Sequence, residues 1–205
     1  MGTTEGSERT PADDGRRFAE PPTWLASFRE RVRARCPGCS RAGVVVQAEA
    51  GPRFVCPGCM KTVEGASWLG PMIGFATRPC GACGRRLHGR RHSARGAGPA
   101  QLALRCECGA ESAAELHWTR HWTGAIEPSF GLVLELVTEV RGHTLWAWNL
   151  EHLAFLERYI GAELRERSRG SNSSLQSRLP AWMTSAKNRE AVRRGLAKLR
   201  AMAEG

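Results

Sequence analysis

Apolar residues recur at two spacings along this 205-residue chain, every third or fourth position in some stretches and every second position in others. The first spacing indicates helices and the second indicates strands. After a polar tail, residues 1–20, that we expect to be disordered, the apolar residues from Trp24 to Val32 follow the helical spacing. They predict a helix over about residues 24–35.

Short β-branched or alternating runs separated by turn residues predict strands in the next part of the chain. The predicted strands are Val44–Gln47, Arg53–Val55, Lys61–Glu64 and Gln101–Arg105. Their small size and regular separation predict small antiparallel sheets, not a large domain sheet.

The stretch 111–124 fits two structures. Ser112 and Glu115 have the spacing of a helix capping box, whereas the alternation from Ala114 to Trp118 suits a strand. We favour a short helix for this stretch.

On that helix Trp118 and Trp122 would share a buried face. His117 and His121 would lie one turn apart, which is the spacing of a two-histidine metal site. We expect these histidines to be surface or packing residues, because the cysteines described below already complete two metal sites.

The second half of the chain predicts a hairpin followed by helices. Phe130–Val140 is the strongest strand signal, and Thr144–Trp148 predicts the returning strand. Asn149 is placed to cap a helix running to about Arg167.

A linker at residues 170–174 is rich in serine and glycine. Beyond it, Pro180 can start a short helix around Trp182. The apolar spacing then predicts a last, basic helix over about residues 187–203.

All eight cysteines occur in four close pairs within one stretch of the chain. Eight thiols make two complete four-ligand sets, which predicts two structural zinc ions as cofactors. A rubredoxin-like iron site would use the same ligands. The strand–turn–strand pattern between the first two pairs favours a sequential grouping over a cross-braced one. The sequential sets are Cys36, Cys39, Cys56 and Cys59 on one ion, and Cys80, Cys83, Cys106 and Cys108 on the other.

The order of knuckle, strand, turn, strand and knuckle is that of a zinc ribbon. The fold class we predict is therefore α+β, with two consecutive zinc ribbons followed by a β-hairpin and C-terminal helices. The predicted units are a tail, 1–20; a helix with the first ribbon, 21–70; the second ribbon with a basic arm, 71–124; the hairpin with its helix, 125–169; the linker, 170–174; and the basic helical segment, 175–205.

Charge and composition narrow the expected partners and location. The formal net charge is +10, and eight thiolates with two zinc ions would lower it to about +6, which still favours a polyanionic partner. No secretory stretch and no apolar run long enough to span a membrane is present in the sequence. We therefore expect a cytoplasmic protein without membrane contact, in which paired cysteines bind metal in preference to forming disulfides.

The most basic run lies between the two cysteine pairs of the second ribbon and predicts an exposed arm that contacts nucleic acid. Arginine suits phosphate and guanine edges, although a solvated loop or an acidic protein partner remains open. No aromatic residue lies within the run, which argues against base stacking there. The candidate contacts are Arg85, Arg86, Arg90, Arg91 and Arg95.

The segment Leu145–Leu153 resembles one in short bacterial proteins described as containing a transcription-factor-IIB-type zinc ribbon. Some of these carry the name of the primosomal replication-restart helicase. The likeness continues through Leu164–Arg167, Ser177–Met183 and Ala186–Arg189 and covers roughly residues 128–200. The resemblance implies an architecture more than an activity. Because this sequence has no Gly-x-x-x-x-Gly-Lys-Ser/Thr loop, we expect no motor activity from it.

The leading hypothesis is a non-catalytic zinc-ribbon protein that binds nucleic acid, with DNA as the expected polymer. The alternative is an adaptor in a bacterial transposition, transcription, secretion or phage-defence complex, with Trp146, Trp148 and Trp182 as interface anchors. We do not expect an enzyme, because closed four-cysteine sites leave no open metal position. The only aspartates, Asp13 and Asp14, lie in the tail, and no small-molecule substrate is evident.

Overall fold

The computed structural model describes residues 17–18, 22–122, 124–162, 164–165 and 174–204. It has the α+β class predicted, with small antiparallel sheets and a long C-terminal helix. Most of the predicted tail and of the predicted linker lies outside the described residues. Within the tail, Arg17–Phe18 (β1) pairs in parallel with Leu164–Arg165 (β13), and Phe18 packs edge-on against Phe155 and Tyr159.

The first cysteine set is held by a four-stranded antiparallel sheet. Its strands, numbered β2 to β5 in chain order, are neighbours in the order β2-β3-β4-β5. The strands are Arg31–Arg35 (β2), Ala42–Ala48 (β3), Gly51–Val55 (β4) and Thr62–Glu64 (β5). The runs predicted around Val44, Arg53 and Thr62 are confirmed as strands.

The helix predicted over residues 24–35 is wrong. A single 3-10 turn covers Leu25–Phe28, and the chain then enters β2. Arginine alternates with apolar residues along β2, so Val32 and Ala34 both point into the core and are fully buried. Pairing with β3 satisfies the backbone of β2, and burial at every second residue decides in favour of the strand.

The second set of cysteines belongs to a separate pair of sheets. One has three strands in the order β10-β6-β7, and the other pairs β8 with β9. The strands are Met72–Pro79 (β6), Arg86–Ser93 (β7), Gln101–Arg105 (β8), Glu111–Glu115 (β9) and His117–Arg120 (β10).

The helix favoured for residues 111–124 is also wrong, and the alternation noted there does mark strands. Ala114 and Leu116 are buried on one side, and Trp118 is half-buried. Trp122, predicted to lie in the core, is 53% exposed. Two short strands joined at Leu116 bury these alternate residues, which one helical face cannot do.

The C-terminal part contains the predicted hairpin and helices. The hairpin is Leu136–Val140 (β11) with His143–Ala147 (β12), and the helices are Leu150–Gly161 (α1), Leu175–Arg178 (α2), Ala181–Thr184 (α3) and Arg189–Glu204 (α4). The first strand is shorter than predicted because Phe130 belongs to a turn. There the buried Glu127 carboxylate accepts the backbone N–H groups of Ser129 and Phe130 at 2.6 and 2.7 Å.

The predicted cap of α1 is confirmed and also joins the two halves of the chain. The Asn149 side-chain oxygen accepts the backbone N–H of His152 at 2.8 Å. The Asn149 amide donates to the carbonyl oxygens of Phe28 and Arg31, each at 2.8 Å. One side chain thus fixes the start of α1 against the entry to β2.

Buried apolar residues form two clusters of unequal size. The larger one combines the first sheet, the hairpin, α1 and α4, and we call it the main core. The smaller one lies in the region predicted as the second ribbon and contains Ala76, Leu87, Leu104, Ala114 and Leu116 with two cysteines. Among the described residues, no helix is both long and apolar enough to cross a membrane.

Candidate metal centres and basic sheet face

The eight thiols form two four-sulfur clusters, and the grouping is the sequential one. Within each cluster all four sulfurs lie within 4.8 Å of one another. The closest pairs are Cys36–Cys59 and Cys39–Cys56 at 3.6 Å, Cys83–Cys106 at 3.6 Å and Cys80–Cys108 at 3.7 Å. Four sulfurs at about 2.3 Å from one tetrahedral ion lie about 3.8 Å apart. The donor set and its spacing fit two metal ions.

Each cluster is built from knuckles that follow a strand. In the first three knuckles the backbone N–H of the leading cysteine donates to a carbonyl oxygen five residues later: Cys36 to Arg41, Cys56 to Lys61 and Cys80 to Arg85, at 2.8 to 2.9 Å. In the shorter fourth knuckle Cys106 donates to Ala110, four residues later, at 2.8 Å. The Cys-x-Cys pair is therefore a knuckle one residue tighter that still presents both sulfurs.

The residue after the second cysteine of every pair has a left-handed backbone. These φ angles are 60° at Ser40, 57° at Met60, 73° at Gly84 and 92° at Gly109. Such a conformation turns the chain back after the second thiol and is strained for residues other than glycine. The first cysteine set therefore has backbone strain at both of its knuckles, at Ser40 and Met60. The second set avoids this strain because glycine occupies the same position in both of its knuckles.

Backbone amides within the knuckles favour thiolate at one cysteine of each cluster. Hydrogen bonds from the amides of Cys83 and Ala82 lower the pKa of Cys80 to about 6. Burial opposes ionisation of Cys36, yet the amides of Cys39 and Gly38 and the neighbouring thiols lower its pKa to about 6.

The opposite shift occurs at the last cysteine of each cluster. The Lys61 amide favours the Cys59 thiolate, but the thiols of Cys39 and Cys36 outweigh it and raise the pKa of Cys59 to about 12. At Cys108 the Ala110 amide is outweighed in the same way, and its pKa rises to about 11. Four sulfurs this close share protons unless a cation replaces them, which is the chemistry of a metal site.

The predicted basic arm is strand β7, and it alternates between two faces. Arg86, His88, Arg90 and His92 point to one side, which we call the outer face. Leu87 and Gly89 point to the other side, toward the small core and β8.

The structure does not bring the five predicted arginines together. Arg85 forms an ion pair with Glu107. Arg95 lies beyond the strand and donates to the Pro37 carbonyl at 3.4 Å. Arg91 follows the alternation to the side opposite Arg90. Arg86 and Arg90 are the two predicted contacts on the outer face.

Sequence reasoning missed the aromatic residue on this face. Phe75, at the centre of β6, lies opposite Arg90 on one side and opposite His117 on the other. Its side chain is 48% exposed. The alternation along β6 indicates that Phe75 points to the face opposite to that of Gly74 and Ala76. Its position next to Arg90 depends on the register of the β6–β7 hairpin, which the sequence pattern does not give.

Among the residues that the structure describes, the outer face carries histidines and no carboxylate. His92 lies next to His121, with ring centroids 5.6 Å apart, and Ile73 separates His92 from Thr119. The whole sequence between Glu64 and Glu107 contains no acidic residue. That gap was a signal available from the sequence alone. His117 and His121 do not pair as on a helix, since β10 is extended.

The basic groups of α4 are partly neutralised. Arg200 forms an ion pair with Glu157 of α1, and Arg194 pairs with Glu190 one turn away. This helix therefore offers less free positive charge than its composition indicates.

The three predicted interface tryptophans have different environments. Trp148 is buried in the main core, at 8% exposure. Trp146 and Trp182 line a cavity beside that core, and the Trp182 ring stacks on His143 with centroids 4.7 Å apart. Trp148 thus offers no surface to a partner, whereas Trp146 and Trp182 share a concave one.

Comparison of the chain with protein-family models, with curated proteins and with solved structures finds no significant match.

Proposed function

We propose that this protein binds nucleic acid, with DNA as the expected polymer, through the outer face of the β10-β6-β7 sheet. The protein is non-catalytic in this proposal, and two structural zinc ions hold its ribbons. The observation that carries the proposal is the row His117, Phe75 and Arg90 across three strands of a face without carboxylates.

The zinc part rests on ligand number and on the small size of the second core. Four thiolates and a closed geometry suit a structural ion. The apolar cluster under the outer face has only five residues besides cysteine, which is little for an independent module. A bound ion supplies the stability that so few apolar contacts do not.

The nucleic-acid part rests on charge and shape together. Within the described part of the chain the side chains of Arg86 and Arg90 have no ion pair or hydrogen bond, so their guanidinium groups are available to phosphate. Phe75 presents a ring between Arg90 and His117, and base–aromatic stacking contributes about 1–3 kcal/mol per base. A base must be unpaired to lie on such a ring, so the face favours single strands over duplex.

Binding can be measured by fluorescence anisotropy with a labelled 20-nucleotide single strand and the corresponding duplex over a range of salt concentrations. The decisive variants are Arg90→Gln and Arg91→Gln, which remove the same charge from adjacent positions on opposite faces. We expect Arg90→Gln to weaken single-strand binding about fivefold or more and to reduce the salt slope by about 0.7. Arg91→Gln should have a much smaller effect.

Phe75→Leu tests stacking separately from charge. It should weaken single-strand binding about tenfold and leave the salt slope unchanged, because no phosphate contact is lost. Equal effects of Arg90→Gln and Arg91→Gln, together with no effect of Phe75→Leu, would show that binding does not use the outer face.

A further inference from the structure

A cavity of about 480 Å³ lies beside the main core, between the 3-10 turn at Leu25–Phe28, strand β12 and helices α1, α2 and α3. This volume is within the range of small-molecule sites. Its wall is mainly aromatic and aliphatic, and none of the described lining residues is acidic. The aromatic and aliphatic lining includes Trp24, Leu25, Trp146, Leu156, Trp182 and Met183.

One wall of the cavity contains a buried histidine with an unused ring nitrogen. His152 is 2% exposed, and its Nδ1 accepts the backbone N–H of Trp148 at 3.2 Å. Because Nδ1 accepts, the ring proton lies on Nε2, which has no hydrogen-bond partner among the described residues. Burial lowers the pKa of His152 to about 4, so the ring is a neutral donor near pH 7. A buried donor without an acceptor is costly in a folded protein.

A free cation lies at the same cavity. Arg178, in the last turn of α2, is exposed and has no ion pair or hydrogen bond with the rest of the described chain. The third polar lining group, the Thr144 hydroxyl, already donates to Glu139 at 2.8 Å. The His152 Nε2 is itself buried, so Arg178 is the charged donor that a ligand in the cavity can reach, beside the indole N–H groups of the lining tryptophans.

We infer that this cavity binds a small aromatic carboxylic acid, whose ring packs against Trp146 and Trp182 and whose carboxylate accepts from Arg178. The donors match an anionic acceptor, and the tryptophans match a flat apolar body. This site is independent of the proposed nucleic-acid face, which belongs to the second ribbon.

Three probes of equal size separate the parts of the inference. They are 2-naphthoate, which is an anionic acceptor; 2-naphthamide, which is a neutral acceptor; and 2-naphthylmethylamine, which is a cation. Titrations of the ¹⁵N-labelled full chain would follow the indole N–H signals by NMR, assigned with Trp→Phe variants. We expect shifts at Trp24, Trp146 and Trp182 and none at Trp118, which serves as an internal control in the second ribbon.

We expect 2-naphthoate to bind about tenfold more tightly than 2-naphthamide, and the amine to bind weakest. Arg178→Gln, a change at an exposed position, should bring naphthoate and naphthamide within about twofold of each other.

Several outcomes would overturn the inference. They are absence of binding by all three probes at 1 mM, equal affinity for the three, and shifts confined to the second ribbon. An unchanged preference for naphthoate in Arg178→Gln would refute the role of the guanidinium. None of these results depends on whether the protein binds DNA.

Discussion

Removal of metal should unfold the second ribbon while the main core stays folded. The two ribbons have equivalent ligand sets but different surroundings. Strand β2 of the first ribbon contributes Val32 and Ala34 to the main core, which also contains the hairpin, α1 and α4. The second ribbon has only its own small cluster, in which Leu87, Leu104 and Leu116 are the largest side chains other than the cysteines.

The magnitudes support an unequal response. Full burial of a leucine contributes about 1.5–3 kcal/mol, so these three leucines contribute on the order of 5–9 kcal/mol. A structural zinc site contributes about 10–16 kcal/mol at pH 7. The ion therefore contributes more than the apolar core beneath it, and its contribution is comparable to the total stability of a typical domain, about 5–15 kcal/mol. In the main core, loss of the first ion leaves a much larger apolar cluster intact.

The assay combines metal release with a local structural signal. A chelating dye should report two zinc ions released per chain. After chelation the indole signal of Trp118, packed on the small core, should move to the unfolded position, while that of Trp148 stays dispersed. Cys83→Ser and Cys39→Ser are matched single-site variants, one in each cluster. Cys83→Ser should reproduce the Trp118 change, and Cys39→Ser should not.

Two results would refute this reasoning. If Trp118 stays dispersed in the metal-free protein, the small core is sufficient without an ion. If Trp118 and Trp148 unfold together, the ribbon and the main core form one cooperative unit.

Three further predictions concern stability and are measured by urea unfolding. Asn149→Ala should lower the free energy of unfolding by about 2–4 kcal/mol because it removes the α1 cap and two donated hydrogen bonds. Asn149→Asp retains the cap and should lower the free energy of unfolding less; equal losses would mean that the two donated hydrogen bonds, which both variants lose, account for the whole effect. Burial lowers the pKa of His152 below its unfolded value, so the neutral ring stabilises the fold fully above about pH 6.5 and this contribution declines toward pH 4. Between pH 7 and 5.5 the free energy of unfolding of the wild type should fall by about 1 kcal/mol more than that of His152→Gln. Parallel pH profiles of the two proteins would contradict a lowered pKa of His152. Met60→Gly should raise the free energy of unfolding by about 1 kcal/mol, because glycine adopts the left-handed backbone of this position without strain. Gly84→Ala should lower the free energy of unfolding for the converse reason. A lower free energy of unfolding in Met60→Gly would show that the exposed Met60 side chain stabilises the fold.

The failed helix predictions have a common cause. Residues 24–35 and 111–124 each contain a true helical signal, apolar residues at helical spacing in one and a capping box in the other. In both, the structure follows the alternation of apolar residues instead, at Val32 and Ala34 and at Ala114 and Leu116. Strand pairing with a partner far along the chain stabilises the alternating form, and local propensity does not include that contribution.

The site residues divide in a similar way. The cysteine grouping could be predicted because a knuckle is local: both sulfurs of a pair lie within four residues, and the spacing between pairs allows one hairpin. Which arginines share a face could not be predicted from the sequence. Alternation along β7 places Arg90 and Arg91 on opposite faces, and Arg85 forms an ion pair with Glu107.

What the sequence alone determined about this protein is its chemistry at short range: the ligand sets, the knuckle turns, the Asn149 cap and the excess of positive charge. What only the tertiary structure decided is which distant residues meet. Hairpin register places Phe75 beside Arg90, and the arrangement of β12, α2 and α3 around one cavity brings Trp146, Trp182 and Arg178 together. The physical reason is that spacing along a chain encodes turns and periodicity, whereas contacts between strands and helices depend on the burial of shared apolar surface.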